Sequence, residues 1–212
     1  MQFETNSHGG WIVPANTAIP DGTEIPAWSD LGESCVLGAD CKIGAGCKFG
    51  DGCKIGADCK LGNYCRLGNG CKLGDGCELG VYCKFDYDCK LGDGCELGAY
   101  CKFDYDCKLG DGCGLGDGCG LGDDCKLGNY CRLGESCTLG ANTQWLKVTV
   151  ESWLTLANVD GSGRQIKIVK HAEGVRVEAG CFQGTLEEFC IQAASEGKDR
   201  YVRVISAVAA AM

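Results

Sequence analysis

A cysteine stands at every sixth position from Cys35 to Cys137, eighteen in all. Two residues after each cysteine comes Leu, Ile or Phe, and the next residue is Gly in sixteen of the eighteen units, with Asp86 and Asp104 as the exceptions. The same register continues with Thr or Ser in the cysteine position at Thr17, Thr23, Ser29 and Thr143. A fixed period of six residues is typical of a parallel β-helix, in which each unit supplies one short strand and one turn.

A second period of eighteen residues sets the number of strands in each coil. Residues 77–94 read CELGVYCKFDYDCKLGDG, and residues 95–112 repeat them with one change. Three strands per coil place residues eighteen apart directly above one another, about 4.8 Å apart. Because side chains alternate along a strand, the cysteine and the aliphatic residue point inward and the residue between them, usually Lys, points outward. Residues 17–148 hold twenty-two units, which predicts a little over seven coils.

This repeat resembles the left-handed β-helix of the hexapeptide-repeat superfamily, in which the small inward position is usually Ser, Thr, Ala, Val or Cys. The resemblance covers 132 of the 212 residues. It implies a mainly β fold, a left-handed parallel β-helix built as a triangular solenoid of about seven coils. The handedness comes from the resemblance, since parallel crossovers in general favour the right hand. The superfamily also implies a homo-oligomer, with the trimer as a frequent form.

The sequence divides into an N-terminal cap (1–16), the hexapeptide-repeat β-helix (17–148) and a small β/α C-terminal domain (149–212). In the last segment, WLTLANV and RQIKIVK flank DGSG, which predicts a hairpin, and VRVEAGCF predicts a third strand. TLEEFCIQAASEG predicts a helix that begins with a capping box of Thr185 and Glu188, and RYVRVISAVAAAM predicts a second helix. The segment is interpreted as a cap over the last coil, with an oligomerisation or partner-binding module as the alternative.

The C-terminal segment also resembles the C-terminal parts of uncharacterised bacteriophage and prophage proteins that carry cysteine-rich hexapeptide repeats. The stretches that carry this resemblance are NVDGSGRQI and AGCFQGTLEEF. It implies a phage-encoded chain and transfers no activity. The N-terminal MQFETNSHGGWIVP has neither a basic start nor an apolar run, and no stretch reaches the length of a membrane span. We therefore expect a cytoplasmic protein, in the bacterial host if phage-encoded, with reduced thiols.

Three interpretations of the eighteen inward cysteines compete. Buried free cysteine behaves as a small apolar filler and stays protonated, which is the favoured interpretation. Stacked disulfides are the second, although cysteines eighteen apart keep their Cβ atoms about 4.8 Å apart, beyond the usual window. A thiolate column holding a soft metal such as copper(I) is the third. No cofactor and no metal ligand are predicted.

Catalysis is not expected. The acyltransferases of the superfamily use a histidine near the coil surface as general base, with a protruding loop that shapes the site. The two histidines here, His8 and His171, lie outside the main solenoid, and the eighteen units contain no insertion. No catalytic residue is therefore assigned.

The predicted binding residues are exposed tyrosines and aspartates on the outside of the solenoid. Two outward rows are basic, one from Lys54 to Lys126 and one from Lys48 to Lys102, and a third row is mixed in charge. Tyr is a favoured interface residue, and departures from a repeat rule mark functional positions. The hypothesis is a protein-binding or self-association surface spanning residues 78–120, with Gly114 and Gly120 open to another backbone. The predicted binding residues, which also include one tyrosine in the coil before this range, are Tyr64, Tyr82, Tyr100, Asp86, Tyr87, Asp88, Asp104, Tyr105 and Asp106.

These observations favour a non-catalytic interaction protein that binds a host or viral macromolecule, a protein above all. The net charge of -9 argues against a nucleic-acid partner. The alternatives are sequestration of a small ligand or soft metal, mimicry of nucleic acid, which the lysine rows weaken, and a hexapeptide acyltransferase, which the absence of a solenoid histidine disfavours.

Overall fold

The computed structural model describes residues 2–134, 136–146, 148–157, 159, 165–180 and 182–212. The chain forms two compact units, residues 1–143 and residues 144–212. The repeat pattern placed the corresponding boundary between residues 148 and 149. No helix in the described ranges has both the length and the apolar composition needed to cross a membrane.

The first unit consists of very short strands. In its N-terminal half these are β1 (Glu4–Thr5), β2 (Trp11–Val13), β3 (Ala18–Ile19), β4 (Glu24–Ile25), β5 (Asp30–Leu31), β6 (Val36–Leu37), β7 (Lys42–Ile43), β8 (Lys48–Phe49), β9 (Lys54–Ile55), β10 (Lys60–Leu61), β11 (Arg66–Leu67) and β12 (Lys72–Leu73). In its C-terminal half they are β13 (Glu78–Leu79), β14 (Lys84–Phe85), β15 (Lys90–Leu91), β16 (Glu96–Leu97), β17 (Lys102–Phe103), β18 (Lys108–Leu109), β19 (Gly114–Leu115), β20 (Gly120–Leu121), β21 (Lys126–Leu127), β22 (Arg132–Leu133) and β23 (Thr138–Leu139).

These strands form three parallel sheets, which are the faces of the solenoid. The first face holds β2, β5, β8, β11, β14, β17, β20 and β23; the second runs from β3 to β21 and the third from β4 to β22, in steps of three strands. Each residue pairs with the residue eighteen positions away, as Arg66 does with Lys84. The predicted parallel solenoid of about seven coils is therefore confirmed. β2 already belongs to the first face, since Ile12 pairs with Asp30.

The interior is built from cysteines and larger aliphatic or aromatic residues. The cysteines from Cys35 to Cys131 have no exposed surface, and Cys137 is 8% exposed. The residue two positions on is also buried in nearly every coil, and Phe85 and Phe103 stack inside with ring centroids 4.3 Å apart. The inward orientation predicted from strand alternation is confirmed.

The glycine of each unit is required by the close approach of successive coils. A Cβ atom on Gly74 would lie 2.5 Å from the backbone nitrogen of Ala57 in the preceding coil. Real side chains do not tolerate such a distance, so glycine is the residue that lets the backbone pack at this spacing. Corner acids add a second ladder, since Asp75 accepts from the amide of Asp93 at 2.8 Å and Asp93 accepts from that of Asp111 at 2.7 Å.

The second unit contains two hairpin strands, a four-stranded antiparallel sheet and two helices. Its strands are β24 (Gln144–Trp145), β25 (Val148–Thr149), β26 (Ser152–Ala157), β27 (Gln165–His171), β28 (Gly174–Ala179) and β29 (Phe182–Thr185), and its helices are α1 (Leu186–Ser195) and α2 (Asp199–Ala211). The predicted hairpin strands, third strand and both helices are confirmed, and β29 is an addition. The DGSG turn lies outside the described residues.

Helix α1 begins with the predicted capping box. The Thr185 hydroxyl accepts from the Glu188 amide at 3.2 Å, and the Glu188 carboxylate accepts from the Thr185 amide at 2.8 Å. Ile166, Ile168, Val177, Phe189 and Ile205 form the core between the sheet and the helices. Among the buried polar residues, Lys167 and Glu178 form an ion pair, and Glu178 also accepts from Gln183 at 3.0 Å. The Lys167 ammonium lies 5.4 Å from the centre of the Trp145 ring.

Candidate functional site

Three predicted binding residues form a stacked column at the corner between the third and the first face. The rings of Tyr64 and Tyr82 lie 5.4 Å apart and are 2° from parallel, and those of Tyr82 and Tyr100 lie 5.0 Å apart at 12°. The three side chains are 54%, 44% and 49% exposed. We call Tyr64, Tyr82 and Tyr100 the tyrosine column. It presents a continuous aromatic edge to solvent across three coils.

The backbone of this column is in the left-handed region. The φ angles of Tyr64, Tyr82 and Tyr100 are 62°, 60° and 60°. This region costs an ordinary L-residue on the order of 1–2 kcal/mol and is normally given to Gly, Asn or Asp. Most other corners of this solenoid use Gly, Asp, Asn or Ser at the equivalent position, and Trp28 and Tyr130 are further aromatic residues there. Three tyrosines at such positions indicate a role that outweighs the backbone cost.

The tyrosine column opens toward the first face. Sequence reasoning associated these tyrosines with the mixed row of the third face, from Lys42 to Arg132. In the structure, a groove of about 460 Å³ is lined by the column together with Arg66, Lys84 and Lys102 of the first face. On the third face, charges are instead neutralised by ion pairs between coils. Lys60 pairs with Glu78 at 3.0 Å, and Glu96 pairs with Arg132.

Within the described residues, the three cations of the groove have no ion pair, unlike Lys48, which precedes them in the same row. Lys48 pairs with Asp30 at 3.4 Å, and Lys42 pairs with Glu24 at 3.0 Å. Among the residues that the structure describes, no carboxylate lies within 4.0 Å of the charged nitrogens of Arg66, Lys84 or Lys102. The groove is therefore locally positive on a chain whose net charge is -9.

The remaining predicted binding residues lie at the opposite edge of the first face. Tyr87 and Tyr105 stack with ring centroids 5.3 Å apart and an interplanar angle of 4°. Asp88 pairs with Lys90 at 3.6 Å. We call this set the acidic corner; its members are Asp86, Tyr87, Asp88, Asp104, Tyr105 and Asp106.

The acidic corner breaks the glycine rule of the coils and has one longer hydrogen bond between coils. Asp86 and Asp104 stand where sixteen other units have Gly, at the position of closest approach between coils. The hydrogen bond from the Asp88 amide to the Tyr105 carbonyl is 3.2 Å long, whereas the corresponding bond from Gly94 to Asp111 is 2.8 Å. Burial, and then repulsion by Asp104, raises the pKa of the Asp86 carboxyl.

The nine predicted residues thus border one face from its two edges. Sequence reasoning identified the basic row between them but not that the tyrosine column lines a groove together with it, although a signal existed in the spacing Tyr64-Cys65-Arg66, which recurs with Lys84 and Lys102. The expectation for Gly114 is wrong. Gly114 is buried, and a Cβ atom there would lie 2.1 Å from a carboxylate oxygen of Glu96, which pairs with Arg132.

The cysteines form a separate ladder inside the solenoid. All eighteen are free thiols, and each donates a hydrogen bond to a backbone carbonyl of the preceding coil, as Cys89 does to Gly68 at 3.2 Å. The pKa of Cys65 is raised by hydrogen bonding with Cys47 and Cys83, and also by burial. The pKa of Cys89 is raised in the same way by hydrogen bonding with Cys107 and Cys71, and by burial.

An alternating chain of thiols and thiolates is the competing arrangement. In that arrangement, donation from Cys53 and Cys89 lowers the pKa of Cys71 to about 4. A thiolate there would lose its hydrogen bond to the Gly50 carbonyl and would place a charge at a position without solvent contact. Because an unpaired charge in an apolar core is costly, the geometry supports the neutral ladder.

Ligands for a metal do not converge in the described part of the chain, where no group of three or more His, Cys, Asp or Glu residues has the required arrangement. The two histidines belong to different units, His8 to the first and His171 to the second. His171 ends β27, where its Nδ1 accepts from the Glu173 amide at 3.3 Å. His8 lies beside Trp28, with ring centroids 6.2 Å apart.

The sequence matches the family described as Bacterial transferase hexapeptide (six repeats) at residues 40–74, 52–86 and 106–141. No curated protein and no solved structure matches the chain. The family matches and the solenoid of about seven coils together support placement in the β-helix repeat superfamily.

Proposed function

We propose that this protein is a non-catalytic binding scaffold whose first face captures an acidic segment of a partner protein. The observation that carries the proposal is the arrangement of Arg66, Lys84 and Lys102 between two stacked sets of exposed tyrosines. Tyr and Arg are the residues that most often dominate the energy of protein interfaces. Rigid stacked rings also lose little side-chain entropy when a partner binds.

The acidic corner supports a protein partner over a nucleic acid. A phosphate backbone lying on the basic row would pass close to Asp86, Asp88, Asp104 and Asp106, and would be repelled by them. A protein segment with carboxylates toward the basic row and a base toward the acidic corner matches both signs. The same comparison weakens mimicry of nucleic acid, because the acids border a row of cations.

The other proposals concern source and assembly. The resemblance of the C-terminal segment to phage and prophage proteins supports a phage-encoded chain that acts in the bacterial cytoplasm on a host or viral protein. The superfamily supports a homo-oligomer. Acyl transfer, which the name of the matched family raises, is not favoured, because no histidine stands in the strands from β3 to β23. The thiol ladder offers little for sequestration, since its hydrogen atoms are already donated to carbonyls.

The test compares charge reversal on two faces. Arg66→Glu, Lys84→Glu and Lys102→Glu are combined in one variant, and Lys54→Glu, Lys72→Glu and Lys108→Glu on the second face form the control with the same change in charge. Both variants and the unaltered protein are used to capture proteins from lysates of infected and uninfected bacteria, with quantification by mass spectrometry.

We expect the first-face variant to lose a specific set of acidic proteins that the control retains. Affinity for a purified member of that set should fall by at least about 100-fold, since charge-paired interface residues are worth several kcal/mol. Equal capture by both variants, or capture of nothing by the unaltered protein, contradicts the proposal.

A further inference from the structure

The tyrosine column is the continuation of an aromatic row that misses one position. Trp28, Gly46 and Tyr64 stand at the same corner in three successive coils. Since coils are about 4.8 Å apart, Trp28 and Tyr64 originate about 9.6 Å apart. Gly46, with φ 71°, has no side chain to fill the interval. Among the described rings, Trp28 pairs with His8 and not with Tyr64.

Gly46 lines a cavity of about 430 Å³. Trp28 and Tyr64 supply aromatic walls, and Lys48 and Arg66 line it from the first face. The Trp28 ring lies over Gly46, since a Cβ atom there would lie 2.3 Å from its Cε3 atom. The space between the Trp28 ring and Tyr64 suits a single planar ring, which can stack on both aromatic walls.

The N-terminal segment fixes one wall of this cavity. The Asn6 amide donates to the Trp28 carbonyl at 2.7 Å and to Asp30 at 3.1 Å, and its side-chain oxygen accepts from the amides of His8 and Gly10 at 3.0 Å. These bonds hold the chain beside Trp28 before any ligand arrives. A site that is ordered in advance loses less free energy on binding.

The charge of the cavity favours an anion. Lys48 is neutralised by Asp30, 3.4 Å away, while Arg66 has no carboxylate within 4.0 Å among the described residues. One uncompensated guanidinium therefore stands beside the aromatic gap. Guanidinium groups bind phosphate and carboxylate with two parallel hydrogen bonds.

We infer that this cavity is a binding site for a small molecule with one planar aromatic ring and one anionic group. The ring inserts between Trp28 and Tyr64, and the anionic group reaches Arg66, with Lys48 beside it. This site shares Tyr64 and Arg66 with the protein-binding groove, but Trp28, Gly46 and Lys48 line only this site, whereas Lys84 and Lys102 line only the groove. Variants of Trp28 and Gly46 therefore test this site while Lys84 and Lys102, which the proposed function needs, stay unaltered.

The experiment titrates the full-length protein with mononucleotides (AMP, UMP) and with an aromatic carboxylate (indole-3-carboxylate). Adenosine and ribose 5-phosphate serve as probes that carry only the ring or only the anion. Binding is followed by calorimetry, and stacking on Trp28 by the quenching of tryptophan fluorescence that a Trp28→Leu variant lacks. The two anionic arms distinguish a phosphate-bearing ligand from a carboxylate-bearing one.

Two variants localise the site. Gly46→Tyr places a side chain where the Trp28 ring lies and so displaces that wall of the cavity; its control, Gly70→Tyr, changes another corner glycine with φ 66° and nothing within 4 Å of its Cβ position. Arg66→Gln removes the anion partner; Lys72→Gln on the second face is its control. We expect at least one anionic ring compound to bind with a Kd below about 1 mM.

Adenosine and ribose 5-phosphate should then bind at least about tenfold more weakly, since each loses one of the two interactions. Gly46→Tyr should abolish binding, and Arg66→Gln should reduce the affinity for the anionic probes to that for adenosine. The inference is overturned if no anionic ring compound binds, or if Gly46→Tyr binds it as the Gly70→Tyr control does.

Discussion

The rings of Tyr82 and Tyr100 stack 5.0 Å apart on backbones that are both in the left-handed region. The stack therefore offsets a local backbone cost. Tyr82 lies between two ring neighbours, whereas Tyr130 has the same backbone conformation, with φ 58°, and no ring partner among the described residues.

Tyr82 and Tyr130 allow a matched experiment. Asn tolerates the left-handed region better than Tyr, so Tyr130→Asn should raise the free energy of unfolding by up to about 1 kcal/mol. Tyr82→Asn gains the same relief but loses two stacking contacts worth about 0.5–1.5 kcal/mol each. We expect the Tyr82 variant to be less stable than the Tyr130 variant by about 1–3 kcal/mol in urea denaturation. Equal stabilities would show that the stack contributes nothing.

The acidic corner should be less stable than the glycine-containing corners. Restoring the repeat rule with Asp86→Gly and Asp104→Gly removes two side chains from the point of closest approach between coils. We expect the double variant to be more stable at pH 7 by about 1–2 kcal/mol, since overpacked positions cost about this much. The control combines Asp88→Asn with Asp106→Asn, which removes two charges from the same corner without changing the packing. Its free energy of unfolding should rise by less than that of the double glycine variant.

The same corner gives a pH dependence of defined sign. The pKa of Asp86 in the folded protein is raised above its ordinary value of 3.8, so the folded state binds this proton more tightly than the unfolded state. The destabilisation by Asp86 is therefore present at neutral pH and disappears as the pH falls through the folded pKa toward 3.8. The advantage of the double glycine variant should shrink between pH 7 and pH 4. An advantage that is constant with pH would assign the whole effect to packing.

The thiol ladder predicts a loss of stability in alkali. The ordinary pKa of a cysteine thiol is 9.0, and those of Cys65 and Cys89 are raised in the folded protein. The stabilisation is therefore complete below pH 9 and is lost as the pH rises above it, since the unfolded state loses these protons first. Each such thiol contributes a slope of up to about 1.36 kcal/mol per pH unit.

Denaturation curves between pH 7 and pH 10.5 measure this slope. Lysine and tyrosine titrate in the same range, so the comparison is with a Cys65→Ala, Cys89→Ala variant, whose slope above pH 9 should be shallower. An unchanged slope would show that these two thiols are not held protonated by the fold.

The Lys167–Glu178 pair in the second unit should be sensitive to the loss of one partner. Both side chains are more than 90% buried, so Lys167→Met leaves an unpaired carboxylate inside the unit. We expect a loss of about 3–5 kcal/mol, with most of it recovered when Glu178→Leu is added. The exposed Lys42–Glu24 pair is the control, and Lys42→Met there should cost less than about 1 kcal/mol. Similar losses at the two sites would contradict this prediction.

The sequence predicts the solenoid well because each position of its repeat has one structural role. Cysteine and leucine face inward, and glycine permits the approach of the next coil. A shift of the register by one residue would take every one of these residues out of its position. Strand β29 was missed, since Phe182–Thr185 is short and has no apolar alternation. The capping box at Thr185 and Glu188 was predictable because it depends on a local spacing alone.

The candidate site was predicted only in part, because the groove depends on contacts between the row of tyrosines and the neighbouring row of cations. The spacing of the tyrosines places them on one corner. Their partners Arg66, Lys84 and Lys102 belong to the strands that follow, and they could be identified only once the structure showed toward which face each ring points. Gly114 was predicted to be exposed, and it is buried. The residue seemed open in the sequence, yet Glu96 and Arg132, eighteen residues before and after it, close over it.

The near identity of residues 77–94 and 95–112 means that the proposed protein-binding groove is extensible. An in-register recombination between these two stretches would insert or delete eighteen residues and would leave both cut ends matched to their neighbours. Such an event lengthens or shortens the aromatic and basic rows together by one residue each. Reach and affinity could thus change in whole steps, by copy number, without the design of any new contact.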